Sequence, residues 1–233
     1  RFSASVDDIE RVQGLLFEHL ERFEPTLRVR RESDRRRALV MVSKYDHCLA
    51  ELLYRHEQGD LPLDIPVIIS NHPDLAPVAA THRIPFVHVP VSAATKDVAE
   101  SMLRALVDEH RIDVVVLARY MQVLSPAFCQ DFPGRVVNIH HSFLPGFKGA
   151  RPYHQAYNRG VKLIGATAHF VTPELDEGPI IDQDVVRVSH ARTADDFVAL
   201  GRDVERTVLA RAMTLIAEDR VALVGQRTVV FTQ

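Results

Sequence analysis

The sequence predicts an α/β fold: a doubly wound, largely parallel sheet preceded by a short, partial α+β module. Three observations lead there. From Ala38 onward, short apolar runs alternate with helical stretches, the rhythm of strand–helix–strand units. One of those runs, Val114-Val115-Val116-Leu117, is apolar without a break, as a central strand covered on both faces must be. Ahead of Ala38 the pattern is different, an amphipathic stretch followed by an arginine-rich polar segment.

The elements follow in order. Ser5 and Asp8 stand at capping-box spacing, and Val6, Ile9, Val12, Leu16, Leu20 and Phe23 then recur at helical intervals, predicting a helix to about residue 23. Pro25 and the alternation of Leu27 and Val29 predict a short strand. The stretch Arg30 to Arg37 reads as a linker, and the boundary is drawn within it, giving a module over residues 1–34 and a main domain over 35–233. Its basic run is interrupted by Glu32 and Asp34 and holds no aromatic residue for base stacking, so it is read as solvated.

In the main domain, strands are expected at Leu39–Ser43, Pro66–Ser70, Phe86–Val89, Asp113–Ala118 and Val136–His140, with helices at 46–57, 74–82 and 95–110. After Pro145 the rhythm changes: Lys162–Thr172 and Pro179–Val188 predict a longer, partly antiparallel pair. Thr193 and Asp196 then cap a last long helix to about Asp219.

Composition narrows the function. With 28 basic and 31 acidic residues the net charge of -3 gives no general attraction to nucleic acid or anionic membrane, and a small-molecule partner fits better. No apolar run approaches the ~18 residues of a spanning helix. Cys48 and Cys129 form no C-x-x-C pattern, so neither a disulfide framework nor a structural zinc site is expected, and a reducing cytoplasm is the simple inference. Because the chain begins at Arg1, it reads as a piece of something longer.

Two polar clusters can carry chemistry. Asn138-Ile139-His140-His141-Ser142-Phe143-Leu144-Pro145 follows an apolar strand directly, and Asn138 and His140, two residues apart, face one side. They would point into a crevice at the strand's carboxyl end, where such sheets bind ligands. Glu174-Leu175-Asp176-Glu177-Gly178-Pro179 is an acidic turn. Taken singly, each of these residues has an ordinary structural explanation. Together an amide donor, an imidazole and a carboxylate make the set needed to attack and resolve a carbonyl compound.

Those residues resemble a known family. Asn138-x-His140, Leu144-Pro145 and Leu175-Asp176-x-Gly178-Pro179 resemble the Asn, His and Asp triad of the folate-dependent formyltransferases. His140 to Pro145 and Gly149 to Tyr157 are similar to the formyltetrahydrofolate deformylases among them. The likeness runs on through Ile69 to His72, Leu117 to Met121 and Gly165 to His169. Residues 1–34 resemble the second half of the ACT regulatory module of that family.

The resemblance implies hydrolysis of 10-formyltetrahydrofolate to tetrahydrofolate and formate, supplying formate for purine synthesis and balancing one-carbon pools. It implies Asn138 and a protonated His140 as oxyanion donors and Asp176 as proton shuttle, with no metal or redox cofactor. Met121, Gln122, Leu124, His141, Val171 and Thr172 are implied in substrate binding, largely through backbone groups; many relatives carry Arg where this chain has Gln122. His169 is expected to support the pocket from behind. A cytoplasmic homo-oligomer with an amino-acid effector at the ACT module is also implied.

Other assignments are weaker. A glycinamide ribonucleotide formyltransferase would hold its phosphate at a glycine-rich turn, yet Ser43-Lys44-Tyr45-Asp46-His47-Cys48 has no glycine, and Asp46 adds repulsion. A methionyl-tRNA formyltransferase would need a further RNA-binding domain. His140, His141 and Asp176 can be drawn as metal ligands, but neighbouring strand residues are expected on opposite faces and no helical ligand spacing is present. Cys48 is expected to be buried and inert rather than a nucleophile. A purely sensory protein is disfavoured by the intact Asn138, His140 and Asp176 set.

Overall fold

The computed structural model describes residues 9–24, 30–31, 33–147 and 151–231. The chain divides into two compact units, Arg1–Arg35 and Arg36–Gln233. In the first, α1 (Ile9–Leu20) and a single 3-10 turn (Glu21–Phe23) form where the apolar periodicity placed a helix. Helix α1 buries none of its residues, and Leu15, Leu16 and Phe17 are exposed. The expected capping box at Ser5 and Asp8, with Val6, and the expected strand at Leu27 and Val29 lie outside the described residues.

The second unit is built on seven strands: β1 (Arg36–Val42), β2 (Leu63–Ser70), β3 (Phe86–His88), β4 (Val114–Leu117), β5 (Val136–His140), β6 (Leu163–Phe170) and β7 (Ile180–Arg187). They lie in the order β3-β2-β1-β4-β5-β6-β7. The first five are parallel, and β6 and β7 run antiparallel, the change of rhythm anticipated after Pro145. Strand β2 begins three residues earlier than Pro66. Its register against β1 shifts between Arg37 and Leu39, where Pro66, which has no N–H to give to the ladder, is accommodated.

Alternation along the strands builds a core on each face of the sheet. Ala38, Val40 and Val42 of β1, Val114 and Val116 of β4, and Val137 and Ile139 of β5 pack with α2 (His47–Gln58) and α7 (Ala194–Ala217). Leu39, Met41, Val115, Leu117 and Val136 pack instead with α4 (Lys96–Glu109) and α5 (Pro126–Asp131). Helix α7 opens with a complete capping box between Thr193 and Asp196, as its sequence predicts. Helix α3 is Ala76–Thr81, α6 is Pro152–Arg159, and a hairpin of β8 (Val221–Val224) and β9 (Arg227–Val230) closes the described chain. Among the described residues no helix is long and apolar enough to cross a membrane.

Loops at the carboxyl ends of β1 and β4 are tied together. Ser43 Oγ donates to Asn71 Oδ1 at 2.6 Å and accepts from the Met121 N–H at 2.9 Å. The buried Glu100 carboxylate accepts from the Ser125 N–H at 2.7 Å and from the Ser125 hydroxyl, which in turn caps α5 by accepting from Phe128 N–H at 3.1 Å. Residues 119–124 are thereby hung between fixed points.

Candidate active site

Strand alternation decides which side chains meet. In β5, Val137 and Ile139 enter the core under α2 and α7, so Asn138 and His140 face the other way. Antiparallel β6 sets His169 opposite Asn138 and Thr167 opposite His140, on the same face. Between β6 and β7 the chain must return across the sheet edge, and Gly178 permits it: a Cβ there would lie 1.8 Å from the Phe170 carbonyl oxygen. This close passage carries Asp176, whose φ of 57° is left-handed, back over β5.

The result is one connected polar cluster. His140 Nδ1 lies 3.2 Å from Asp176 Oδ1, and both side chains are buried. Asn138 Nδ2 lies 3.2 Å from His169 Nε2, which is 3.8 Å from the same Asp176 oxygen. The network assigns the protons. His169 donates Nδ1–H to the Phe170 carbonyl at 2.9 Å, leaving Nε2 to accept from the Asn138 amide. His140 donates Nδ1–H to Asp176, which leaves its buried Nε2 with no partner.

Burial alone would raise the Asp176 pKa, but the hydrogen bond from His140 and the nearby imidazoles outweigh it and hold the carboxyl below its ordinary range. Burial pushes His169 down, keeping it neutral and suited to accept. His141 is driven down to about 3, first by burial and then by the Arg119 guanidinium.

These groups line a cavity of about 250 Å³. Every residue expected at the pocket reaches it: Met121, Gln122, Leu124, Val171 and Thr172 line it together with Asn138, His140, His141, His169 and Asp176. Met121, Val123 and Leu175 leave apolar surface exposed at the rim. His169 does more than support from behind, since it both lines the cavity and orients Asn138. His141, implied in substrate binding, reaches the cavity because β5 ends at His140: strand alternation would have turned it to the opposite face, but the released chain brings the two rings to a centroid separation of 5.1 Å.

The loop after β5 is held by Thr167, whose Oγ1 accepts from Leu144 N–H at 3.0 Å and from Gln183 Nε2 at 2.9 Å, and donates to the Ser142 carbonyl at 2.9 Å.

A second polar group was not anticipated. Glu205 of α7, 1% exposed, accepts from His47 Nε2 at 2.8 Å and from the Tyr153 hydroxyl at 2.8 Å, and lies 3.3 Å from Arg119 Nε. Gly201, one turn earlier, lets the Tyr153 ring approach: a Cβ there would lie 2.1 Å from it. A glutamate sharing the α7 stripe of Gly201 and Leu209 was the available signal, because a lone charge on an apolar stripe has to find partners inside. Cys48 is buried as expected, its thiol raised well above the ordinary range chiefly by burial. His47, Cys48 and Glu205 place ligand-type atoms within 4.8 Å of one another, yet a protonated thiol, an engaged carboxylate and the adjoining guanidinium do not suit a cation.

The formyl transferase family profile matches residues 36–213, from the first residue of β1 into α7. The formyltetrahydrofolate deformylase of Corynebacterium sp. (strain P-1) is 47% identical over 224 residues, covering 96% of this chain and 78% of the relative. This chain belongs to the formyl transferase family, on its formyltetrahydrofolate deformylase branch. A crystal structure of a formyltetrahydrofolate deformylase from Pseudomonas syringae pv. tomato superposes with a TM-score of 0.94 at 49% identity, covering 97% of this chain and 76% of that one. Glycinamide ribonucleotide transformylase 1 from Symbiobacterium toebii shares the fold at a TM-score of 0.80 and 29% identity, covering 87% of this chain and 96% of its own. The part matching the formyl transferase profile contains Asn138, His140 and Asp176, while residues 1–35 lie outside it.

Proposed function

We propose that this chain hydrolyses the formyl group of 10-formyltetrahydrofolate, releasing tetrahydrofolate and formate. The observation that carries the proposal is the orphaned, buried Nε2 of His140, a residue that lines the cavity and is backed through Nδ1 by Asp176. An oxyanion forming on the formyl carbon needs such a preorganised donor. Held through Nδ1 by Asp176, His140 in its protonated form donates Nε2–H to that oxyanion; the Asn138 N–H not given to His169 donates as a second. Asp176 takes a proton from the attacking water and returns it to N10 as the carbon–nitrogen bond breaks. Neutral His141 beside His140 helps to place that water.

The chemistry is redox-neutral, and donors and a base are already in place, so we assign it neither metal nor cofactor. Met121, Gln122, Leu124, Val171 and Thr172 would hold the folate ring system, with the apolar rim receiving its flat face. Water rather than a nucleotide amine is the proposed acceptor, since residues 43–48 offer no glycine turn for a phosphate and Asp46 stands at the N-cap of α2. The exposed Leu15, Leu16 and Phe17 support a homo-oligomer, the resemblance of residues 1–34 to half an ACT module supports an amino-acid effector, and the free, buried Cys48 and Cys129 fit a reducing cytoplasm. The test of the activity is formate release from 10-formyltetrahydrofolate by the purified chain with no acceptor added; a rate no greater than the uncatalysed one overturns it.

A further inference from the structure

Arg119 is a buried charge that the proposed hydrolysis leaves without a task. It follows β4 by two residues and holds a left-handed backbone, φ 65°. Its side chain is 10% exposed, its guanidinium sits 5.2 Å from the centroid of the Tyr45 ring, and it lines the same cavity as His140. Neither Nε nor Nη1 has a hydrogen-bond acceptor. Glu205 balances the charge from 3.3 Å, but its two oxygens already receive His47 and the Tyr153 hydroxyl. A guanidinium cannot shed its proton to escape burial, so its empty donors call for an acceptor brought by a ligand.

We infer that Arg119 is the formate subsite: Nη1 receives the carboxylate oxygen of the product as the bond to N10 breaks. The inference rests on the hydrolysis proposed above. Water oxygen bonds to the formyl carbon, the C–N10 pair leaves with nitrogen, one water proton ends on N10, and the other is released as formic acid ionises to formate. The chemistry thus ends by creating one new negative charge in a cavity that the Arg119 guanidinium lines. Arginine suits that task through its planar donor array, which matches a carboxylate better than an ammonium does. His141 and His169, both held neutral, offer the anion no counter-charge, and the His140 and Asn138 donors are those already given to the oxyanion.

The test is direct binding of ¹³C-formate to the whole chain by NMR titration, without folate, against chloride at matched ionic strength. Saturable binding that weakens by roughly 10- to 100-fold in Arg119→Met is expected, with an intermediate loss in Arg119→Lys, and formate inhibition of turnover should weaken in parallel. Arg119→Met leaves Glu205 buried without its counter-charge, so the double variant R119M/E205Q, which removes both charges, is measured beside it. No saturable formate binding in the unmodified protein, or equal affinity in any folded variant lacking Arg119, overturns the subsite while leaving hydrolysis standing. Arg119-dependent formate binding by a chain that releases no formate from 10-formyltetrahydrofolate upholds the anion site and overturns the hydrolytic reading.

Discussion

Replacing Asn138 by alanine removes one donor from the cavity and almost nothing else. One Asn138 N–H goes to His169 at 3.2 Å, and the second is available to an oxyanion. Loss of a single preorganised oxyanion donor lowers kcat by roughly 10²- to 10³-fold, about 2.7–4 kcal/mol of transition-state stabilisation. The folded state loses one neutral hydrogen bond, worth about 1 kcal/mol, because His169 keeps its bond to the Phe170 carbonyl and stays in place. Activity should therefore fall far more than stability. Steady-state formate release read beside urea unfolding separates the two: the expected variant melts almost as the parent does and turns over at a hundredth of its rate or less. KM should move little, since the donor acts chiefly once charge develops. An unchanged kcat in a folded N138A would assign the oxyanion to other donors and remove the role given to β5.

His141 and Glu205 carry further predictions. The pKa of folded His141 is pushed to about 3, against about 6.5 in an unfolded chain, so between those values the unfolded state binds a proton that the folded one does not. Its contribution to stability is complete above about pH 6.5 and declines as pH falls through that window; by NMR the ring should not titrate between about pH 5 and 8, and a midpoint near 6.5 would contradict its burial beside Arg119. Glu205→Ala strands Arg119, His47 and Tyr153, and should cost about 3–5 kcal/mol in urea unfolding, the usual penalty for breaking a buried ion pair. A loss below about 1 kcal/mol would mean the network is no more than a solvated cluster.

What the sequence disclosed depended on how local the signal was. Strand β4 declares itself because four apolar residues in a row suit only a doubly covered strand. The Thr193 and Asp196 capping box was equally plain, since both partners lie within one turn of helix. The site was legible for a related reason: Asn138 and His140 share a face by strand periodicity alone. Asp176, which joins them through the chain's return past Gly178, was assigned by resemblance rather than by spacing.

The start of β2 was hidden because Asp64 and Pro66 break the apolar alternation that the bulge accommodates. Short helices α5 and α6, each with proline in its first turn, offer too few turns for periodicity to register. His141 was assigned to the pocket by resemblance alone, because strand alternation extended one residue beyond the end of β5 would turn it away. The Arg119, Glu205, Tyr153 and His47 network is tertiary in origin, with His47 and Glu205 separated by 158 residues, so no window of sequence contains it.

Water, not a nucleotide amine, is the proposed acceptor of the formyl group. The purified chain incubated with 10-formyltetrahydrofolate, with and without glycinamide ribonucleotide, decides this when free formate and formylated nucleotide are both quantified. Hydrolysis requires rapid formate release that does not depend on the nucleotide, with no formylated nucleotide formed. Negligible formate in its absence, followed by fast formyl transfer once it is added, would make the chain a transferase instead.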